Sequence, residues 1–274
     1  METSFATDAG TAVNEDVVVA GEGFVIVLDG ATAEPDTDSG CGHGVRWFAT
    51  HLASGLAQRL TVDDATSQPL TEILRDAIAE TGAAHAGTCD LTNLCSPSST
   101  VALVRHCGTR LDYLVLGDSP IVLGRGDGVA VPIIDDRLAQ FDGPWSQLRY
   151  ARNVDGGFWI AGNNPDAARH ALVGTVPVAD LTGVALLTDG ATRLVERYGW
   201  TWRDLLATLV KHGPAEVIAA TRAAENDTPP GRFTGKTHDD ATAVLCRFTA
   251  RGAEVDQWAA TDEGLWPPHP AEFG

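Results

Sequence analysis

Apolar positions recur along this chain in two periods. Residues 17–20 and 24–28 are short β-branched or apolar runs around Gly21-Glu22-Gly23, which predicts a hairpin near the N-terminus. From 44 to 60 the period lengthens: Val45, Phe48, Leu52, Leu56 and Leu60 share one face of a helix. A second helix starts near Pro69, with Leu70, Ile73, Leu74, Ala77 and Ile78 on one side. Strand-like runs return at 100–105, 111–116, 121–123 and 129–134, with a tight turn at 124–128 whose Arg-Gly-Asp reads as turn chemistry. Residues 137–180 are irregular and rich in Gly, Asn, Pro and Trp, as in an insertion or flap. A buried strand at 184–188, helices at 202–212 and 214–225, and a closing strand at 241–248 complete the pattern. Consecutive strands demand antiparallel pairing, and amphipathic helix pairs demand a sheet face to cover. The expected class is α+β: two antiparallel β-sheets packed as a sandwich and flanked on both sides by helix pairs, an αββα four-layer arrangement. It would occupy 1–250, followed by a Pro- and Trp-containing tail at 251–274.

Composition narrows the partners. The 274 residues carry 37 acidic and 19 basic side chains, a formal charge of −18, and the only lysines are Lys211 and Lys236. Such a surface disfavours nucleic acid and anionic membranes, whose affinity rests on clustered cations. No apolar run reaches the ~20 residues of a membrane span. The N-terminus lacks the basic-then-apolar layout of a signal peptide. Five cysteines without a CxxC pair read as reduced thiols in a cytoplasmic protein.

Candidate chemistry lies at the strand ends. Residues 24–32 and 184–192 are near-repeats, each an apolar strand closed by Asp-Gly: Asp29-Gly30 and Asp189-Gly190. A third strand ends at Gly117-Asp118-Ser119, and Asp239-Asp240 stands just before the closing strand. In an antiparallel sheet the end of one strand lies beside the start of its neighbour, so these carboxylates are expected at one edge. Folding the hairpin also brings Glu15 and Asp16 beside Asp29. Carboxylates so gathered repel one another unless a cation neutralises them, and oxygen ligands select hard cations such as Mg²⁺ or Mn²⁺.

These motifs, in this order, resemble those of the type 2C protein phosphatases in their bacterial form, metal-dependent hydrolases of phosphoserine and phosphothreonine. The resemblance spans roughly 10–250 and rests on Asn14-Glu15-Asp16, the strand 24–30, Ser98-Ser99-Thr100, Gly117-Asp118-Ser119, Leu187-Thr188-Asp189-Gly190 and Asp239-Asp240-Ala241-Thr242. It implies two Mn²⁺ or Mg²⁺ ions bridged by Asp29, with the Gly30 carbonyl, Asp189 and Asp239 as further ligands. Asp118 would hold a third, weaker ion. Phosphomonoesters of a protein or small molecule would then be hydrolysed by a metal-activated water. Two departures stand out. The position at which the family carries a phosphate-gripping arginine holds Thr11, and Pro120 follows Gly117-Asp118-Ser119 where arginine is usual. They keep two alternatives open: a pseudophosphatase binding module, and a metallohydrolase or cyclising enzyme of specialised metabolism reusing the dinuclear site.

Arg46 and Arg193, nearest in sequence to the metal motifs, are the candidates to replace that grip. His43, at the entrance of the first helix, reads as a capping or packing residue and joins them as a substrate-side candidate. Asp36-Thr37-Asp38 alternates like a calcium loop, but its glycine is misplaced and the closing glutamate is missing. Cys89 and Cys95 are wrongly spaced for a zinc pair and read as free thiols.

Overall fold

A computed structural model of the chain describes residues 1–31, 37–62, 66–144 and 147–248. The tail expected at 251–274, and residues 32–36, lie outside the described residues. The first sheet to form along the chain contains β2 (Val17–Gly21), β3 (Phe24–Leu28), β6 (Val101–Cys107), β7 (Arg110–Leu116) and β10 (Leu172–Pro177). Their spatial order is β10-β7-β6-β3-β2. The other, in the order β1-β12-β11-β8-β9, joins β1 (Glu2–Asp8), β8 (Ile121–Arg125), β9 (Ala130–Ile133), β11 (Leu181–Leu187) and β12 (Ala241–Arg247). All of these pairings are antiparallel. A short ribbon, β4 (Gly30–Ala31) on β5 (Ser98–Ser99), extends the first sheet beyond Asp29.

Side-chain alternation divides the core into layers. Val25, Val27, Ala102, Val104, Val115, Val184, Leu186 and Val244 meet between the sheets. Phe24, Ile26, Leu28, Leu103 and Leu114 face the other way, onto helices α1 (Gly44–Leu60) and α2 (Leu70–His85). On the far side Ala185, Leu187, Ala243 and Leu245 pack against α4 (Asp189–Glu196), α5 (Trp202–His212) and α6 (Pro214–Asn226). The remaining helix, α3 (Leu148–Ala151), is a single turn. The molecule therefore has the expected αββα layering.

Three elements depart from the sequence reading. β1 escapes a hydrophobic-pattern reading because it is an edge strand with five of its seven residues exposed, held by its ladder to β12. The stretch 137–180 is not all irregular: Leu172–Pro177 completes a sheet edge on β7. From the same stretch Trp159, Ala161, Ala167 and Ala168 enter the core beneath α1 and α2. A helix without a place in the sequence reading, α4, opens at Asp189-Gly190 directly from the end of β11. Among the described residues no helix is long and apolar enough to cross a membrane.

Candidate metal centre

The hairpin β2–β3 pairs Val17 with Leu28, so one further step sets Asp16 opposite Asp29. Asp29 is fixed through its backbone. Its N–H donates to the Thr100 hydroxyl at 3.1 Å, and its carbonyl accepts from Thr100 N–H at 2.9 Å and from the Ser99 hydroxyl at 2.9 Å. The Thr100 and Ser119 hydroxyl oxygens are 2.6 Å apart, which links this strand end to the loop carrying Asp118. Gly30 must be glycine for space, since a Cβ there would lie 2.5 Å from Val45 Cγ1 and 2.9 Å from the Glu15 carbonyl oxygen.

The second sheet contributes from the opposite side. β11 delivers Asp189, whose N–H points at Asp29 Oδ2 across 3.4 Å. Gly190 lets α4 press onto β12, because a Cβ would sit 2.0 Å from the Asp240 carbonyl oxygen. Asp239, at the entrance to β12, accepts from Arg193 Nη2 at 2.9 Å and from Lys236 Nζ at 2.8 Å. Asp240 turns away from its neighbour and accepts from the N–H groups of Gly10 (2.9 Å) and Glu15 (2.6 Å), which anchors the acidic loop.

Asp16 is buried. Its Oδ2 accepts from the hydroxyls of Thr188 (2.9 Å) and Thr242 (2.6 Å), while its Oδ1 has no hydrogen-bond partner. A buried carboxylate oxygen left without a donor is costly, and a cation is the ligand that such an atom accepts. The electrostatics agree. Burial, followed by the charges of Asp189, Asp16, Asp118 and Asp239, lifts Asp29 well above the ordinary carboxylate range. Burial also raises Asp16 and Asp189 to about 7, aided by Asp239 in both cases and by Asp240 at Asp16. Asp118 rises to about 6 through burial and the charges of Glu196 and Asp135. The donor set is all oxygen and spread along an edge, which suits hard divalent cations that keep several waters. The residues present thus fit the metals implied by the resemblance.

Two of the substrate-side candidates lie elsewhere. Arg193 is buried and donates to Glu225 Oε1 at 2.6 Å and to Asp239 Oδ2, so it stands behind a candidate ligand and not towards solvent. His43 makes no helix cap; its ring lies 4.4 Å from that of Trp47, and its Nδ1 lies 3.2 Å from Cys89 Sγ. Arg46 is exposed and donates from Nη1 to the carbonyls of Asn14 (2.5 Å) and Asp16 (2.7 Å), directly at the acidic motif. Thr11 is exposed, and its hydroxyl donates to the Val13 carbonyl. Thr188, Asp240 and Thr242 lie within the motifs, but the sequence does not show their supporting roles, and Glu225, far from any motif, has no sequence signal. Lys236 had one, its place three residues before Asp239.

A profile of the protein phosphatase 2C family matches residues 8–221. The chain belongs to that family, and so to the metal-dependent phosphoric monoester hydrolases. No curated protein matches it in sequence. Among solved structures it is similar to the Mycobacterium tuberculosis serine/threonine phosphatase PstP/Ppp at 17% identity and a TM-score of 0.62, covering 89% of this chain and 97% of that one. A catalytic domain of PstP in complex with two manganese ions gives 18% identity and a TM-score of 0.56, over 89% and 96% of the two chains. The Staphylococcus aureus serine/threonine phosphatase Stp1 gives 12% and 0.57, over 91% and 95%. At these identities the likeness is one of fold.

Proposed function

We propose that the chain is a manganese- or magnesium-dependent protein phosphatase acting on phosphoserine or phosphothreonine. The observation that carries this reading is the convergence of carboxylates from both sheets on one edge, with a buried Asp16 oxygen that no protein donor satisfies. Asp29, the Gly30 carbonyl, Asp189 and Asp239 would hold two cations, and Asp118 a weaker third, with Glu15 and Asp16 completing the acidic wall. When bound, such cations bring the ionisation of water towards neutral pH and offset charge on a phosphoryl group. The protein's own part is positioning. Thr188 and Thr242 orient Asp16, Arg193 orients Asp239, and Asp240 holds the loop that carries Glu15. Arg46, already at that loop, supplies the guanidinium for the substrate phosphate in place of the residue that Thr11 replaces. An acidic, lysine-poor surface favours phosphoprotein segments that bring their own basic residues.

The test is hydrolysis of an aryl phosphate and of a phosphothreonine peptide, with and without Mn²⁺, by wild type and Asp29→Asn. Metal-dependent turnover that Asp29→Asn abolishes is expected. Tight Mn²⁺ binding with turnover of neither substrate would favour the binding module, the reading that Thr11 and Pro120 support.

A further inference from the structure

We propose that Cys41, His43, His85 and Cys89 form a second metal site, separate in position and chemistry from the carboxylate edge, that binds one structural Zn²⁺. Among the described residues this is the group of metal-ligand side chains whose donor atoms all lie within 4.8 Å of one another. The separations are 3.1 Å for Cys41 Sγ to Cys89 Sγ, 3.2 Å for His43 Nδ1 to Cys89 Sγ, 3.6 Å for Cys41 Sγ to His85 Nδ1 and 3.8 Å for Cys41 Sγ to His43 Nδ1. A tetrahedron with Zn–S near ~2.3 Å and Zn–N near ~2.0–2.1 Å has edges of roughly 3.3–3.8 Å, so the two sulfurs, 3.1 Å apart, would open by about 0.7 Å as the ion enters. Two thiolates and two imidazoles this close together select zinc over the hard cations suited to carboxylates.

The four ligands come as two short pairs. Cys41 and His43 lie in the segment entering α1. His85 is the last residue of α2, and the N–H of Cys89, four residues on, donates to its carbonyl at 3.0 Å. The two segments are joined independently of any ion: Asp90 N–H donates to the Gly40 carbonyl at 2.8 Å, and Asn93 Nδ2 donates to the Asp38 carbonyl at 3.1 Å. The donors are therefore gathered before a metal arrives.

His85 is 1% exposed, and its Nδ1 faces Cys41 Sγ at 3.6 Å, so a buried imidazole is held with one ring nitrogen turned to the sulfur pair. Cys89 Sγ is the hub of the cluster, meeting Cys41 Sγ at 3.1 Å, His43 Nδ1 at 3.2 Å and the Thr88 hydroxyl at 3.7 Å. The rings of Trp47 and Phe48 lie 5.1 Å and 6.4 Å from that of His85, screening the inner side.

A four-ligand closed shell is a structural site, with no coordination position left for substrate. Here it would fasten the start of α1 to the end of α2. Two residues beyond His43, Val45 packs on Gly30, and Arg46 holds the carbonyls of Asn14 and Asp16. The zinc would thus set the register of the helix that braces the phosphatase edge.

The experiment is metal analysis of the full-length chain purified with reductant after growth with added zinc. We expect about one zinc per chain in wild type and equally in Asp29→Asn, which separates this site from the catalytic one. Cys41→Ser with Cys89→Ser should lose it, and His43→Ala, an exposed position that leaves the fold intact, should weaken it by about tenfold to a hundredfold. Protein from cobalt-supplemented growth should show the visible bands of tetrahedral Co²⁺ with thiolate ligands, a readout that needs no variant. Wild type with less than a tenth of an equivalent of zinc and no cobalt bands, full zinc in the double cysteine variant, or a Cys41–Cys89 disulfide in place of bound zinc would each overturn the proposal.

Discussion

The carboxylate edge and the Cys41–His43–His85–Cys89 cluster both collect metal-ligand side chains, yet they differ in donor, spacing and anchoring. The edge takes oxygens from the ends of β3, β7 and β11 and the start of β12, elements that meet only when both sheets have packed. Its carboxylates repel one another. The cluster takes sulfur and nitrogen from one loop and one helix end and draws the donors within 4.8 Å of one another. An open set of hard donors serves turnover because its waters and substrate exchange; a closed set of soft donors serves shape. The first turn of helix α1 meets both: it is entered at the cluster, and its Val45 and Arg46 brace Gly30 and Asp16.

The largest expected effect tests that separation directly. Asp29→Asn should lower Mn²⁺-dependent turnover of an aryl phosphate by about a thousandfold or more, since several kcal/mol of charge stabilisation depend on the site. The zinc content should stay at its wild-type level. If both change together, the two regions are one coupled unit.

Next in size is the response of stability to pH, where the regions have opposite signs. Asp16, Asp189 and Asp118 have native values raised from 3.8 to about 7, 7 and 6, so the folded state binds their protons more tightly. Their contribution is complete below about pH 4 and is lost as pH rises through the native values. Cys89 runs the other way: with its thiol lowered from 9.0 to about 6, its contribution is present at high pH and lost as pH falls through the native value. Asp90, Asp112 and Asp204, held below the ordinary range, are ionised in both states across this window. The metal-free chain should therefore melt at a lower temperature at about pH 8 than at about pH 5.5, and Cys89→Ser should deepen the fall. Saturating Mn²⁺ should reverse the trend in wild type, because binding consumes the ionised carboxylates. A flat metal-free profile would mean that the edge carries no strain.

How far each region could be read from sequence follows from the same contrast. The edge was legible because strands with period two end in Asp-Gly, and a hairpin register counts residues reliably from its turn. Asp16 opposite Asp29 needed only that counting. Arg193 is a candidate for the phosphate grip by sequence proximity alone, which does not reveal direction. In the fold α4 turns it inward, onto Glu225 from α6. The cluster was illegible as a metal site, because its pairs are 48 positions apart from Cys41 to Cys89 and depend on how the segment before α1 packs on the end of α2. Cys95, nearer in sequence to Cys89, lies outside the cluster. β1 has no sequence signal, because an exposed edge strand carries no apolar period.

A tenfold effect should sharpen the reading of phosphate grip. If Arg46 supplies the guanidinium, Arg46→Ala should raise KM for an aryl phosphate about tenfold, since hydrogen bonds to charged groups contribute roughly 1.5–3 kcal/mol. Thr11→Arg in that background should restore most of it, with kcat changed little because the ground state already carries the phosphate charge. Steady-state kinetics of the two variants decide between this and loss of loop support. A fall in kcat that Thr11→Arg does not repair would assign Arg46 to holding the Asn14 and Asp16 carbonyls.

The smallest effect concerns Lys236, the half-exposed ammonium that donates to Asp239 Oδ1 at 2.8 Å while Arg193 takes Oδ2. Both oxygens of a candidate ligand are thus occupied by cationic side chains, but the two partners are not equivalent. Arg193 is buried and fastened to Glu225 as well, so it positions the carboxylate permanently. Lys236 sits on a flexible stem at the surface, where an ion pair contributes only about 0–1 kcal/mol. A divalent cation must displace it to reach Oδ1, and losing the competitor should tighten Mn²⁺ binding by that amount. Lys236→Met should therefore lower the Kd for Mn²⁺ by about twofold to fivefold, measured by calorimetric titration at low ionic strength. The gain should shrink as salt is added, since salt already screens the pair in wild type. Zinc at the cluster should be indifferent to both the substitution and the salt. Weaker Mn²⁺ binding in Lys236→Met would mean that the ammonium holds Asp239 in its ligating position, and that the edge, like the cluster, is assembled before its metal arrives.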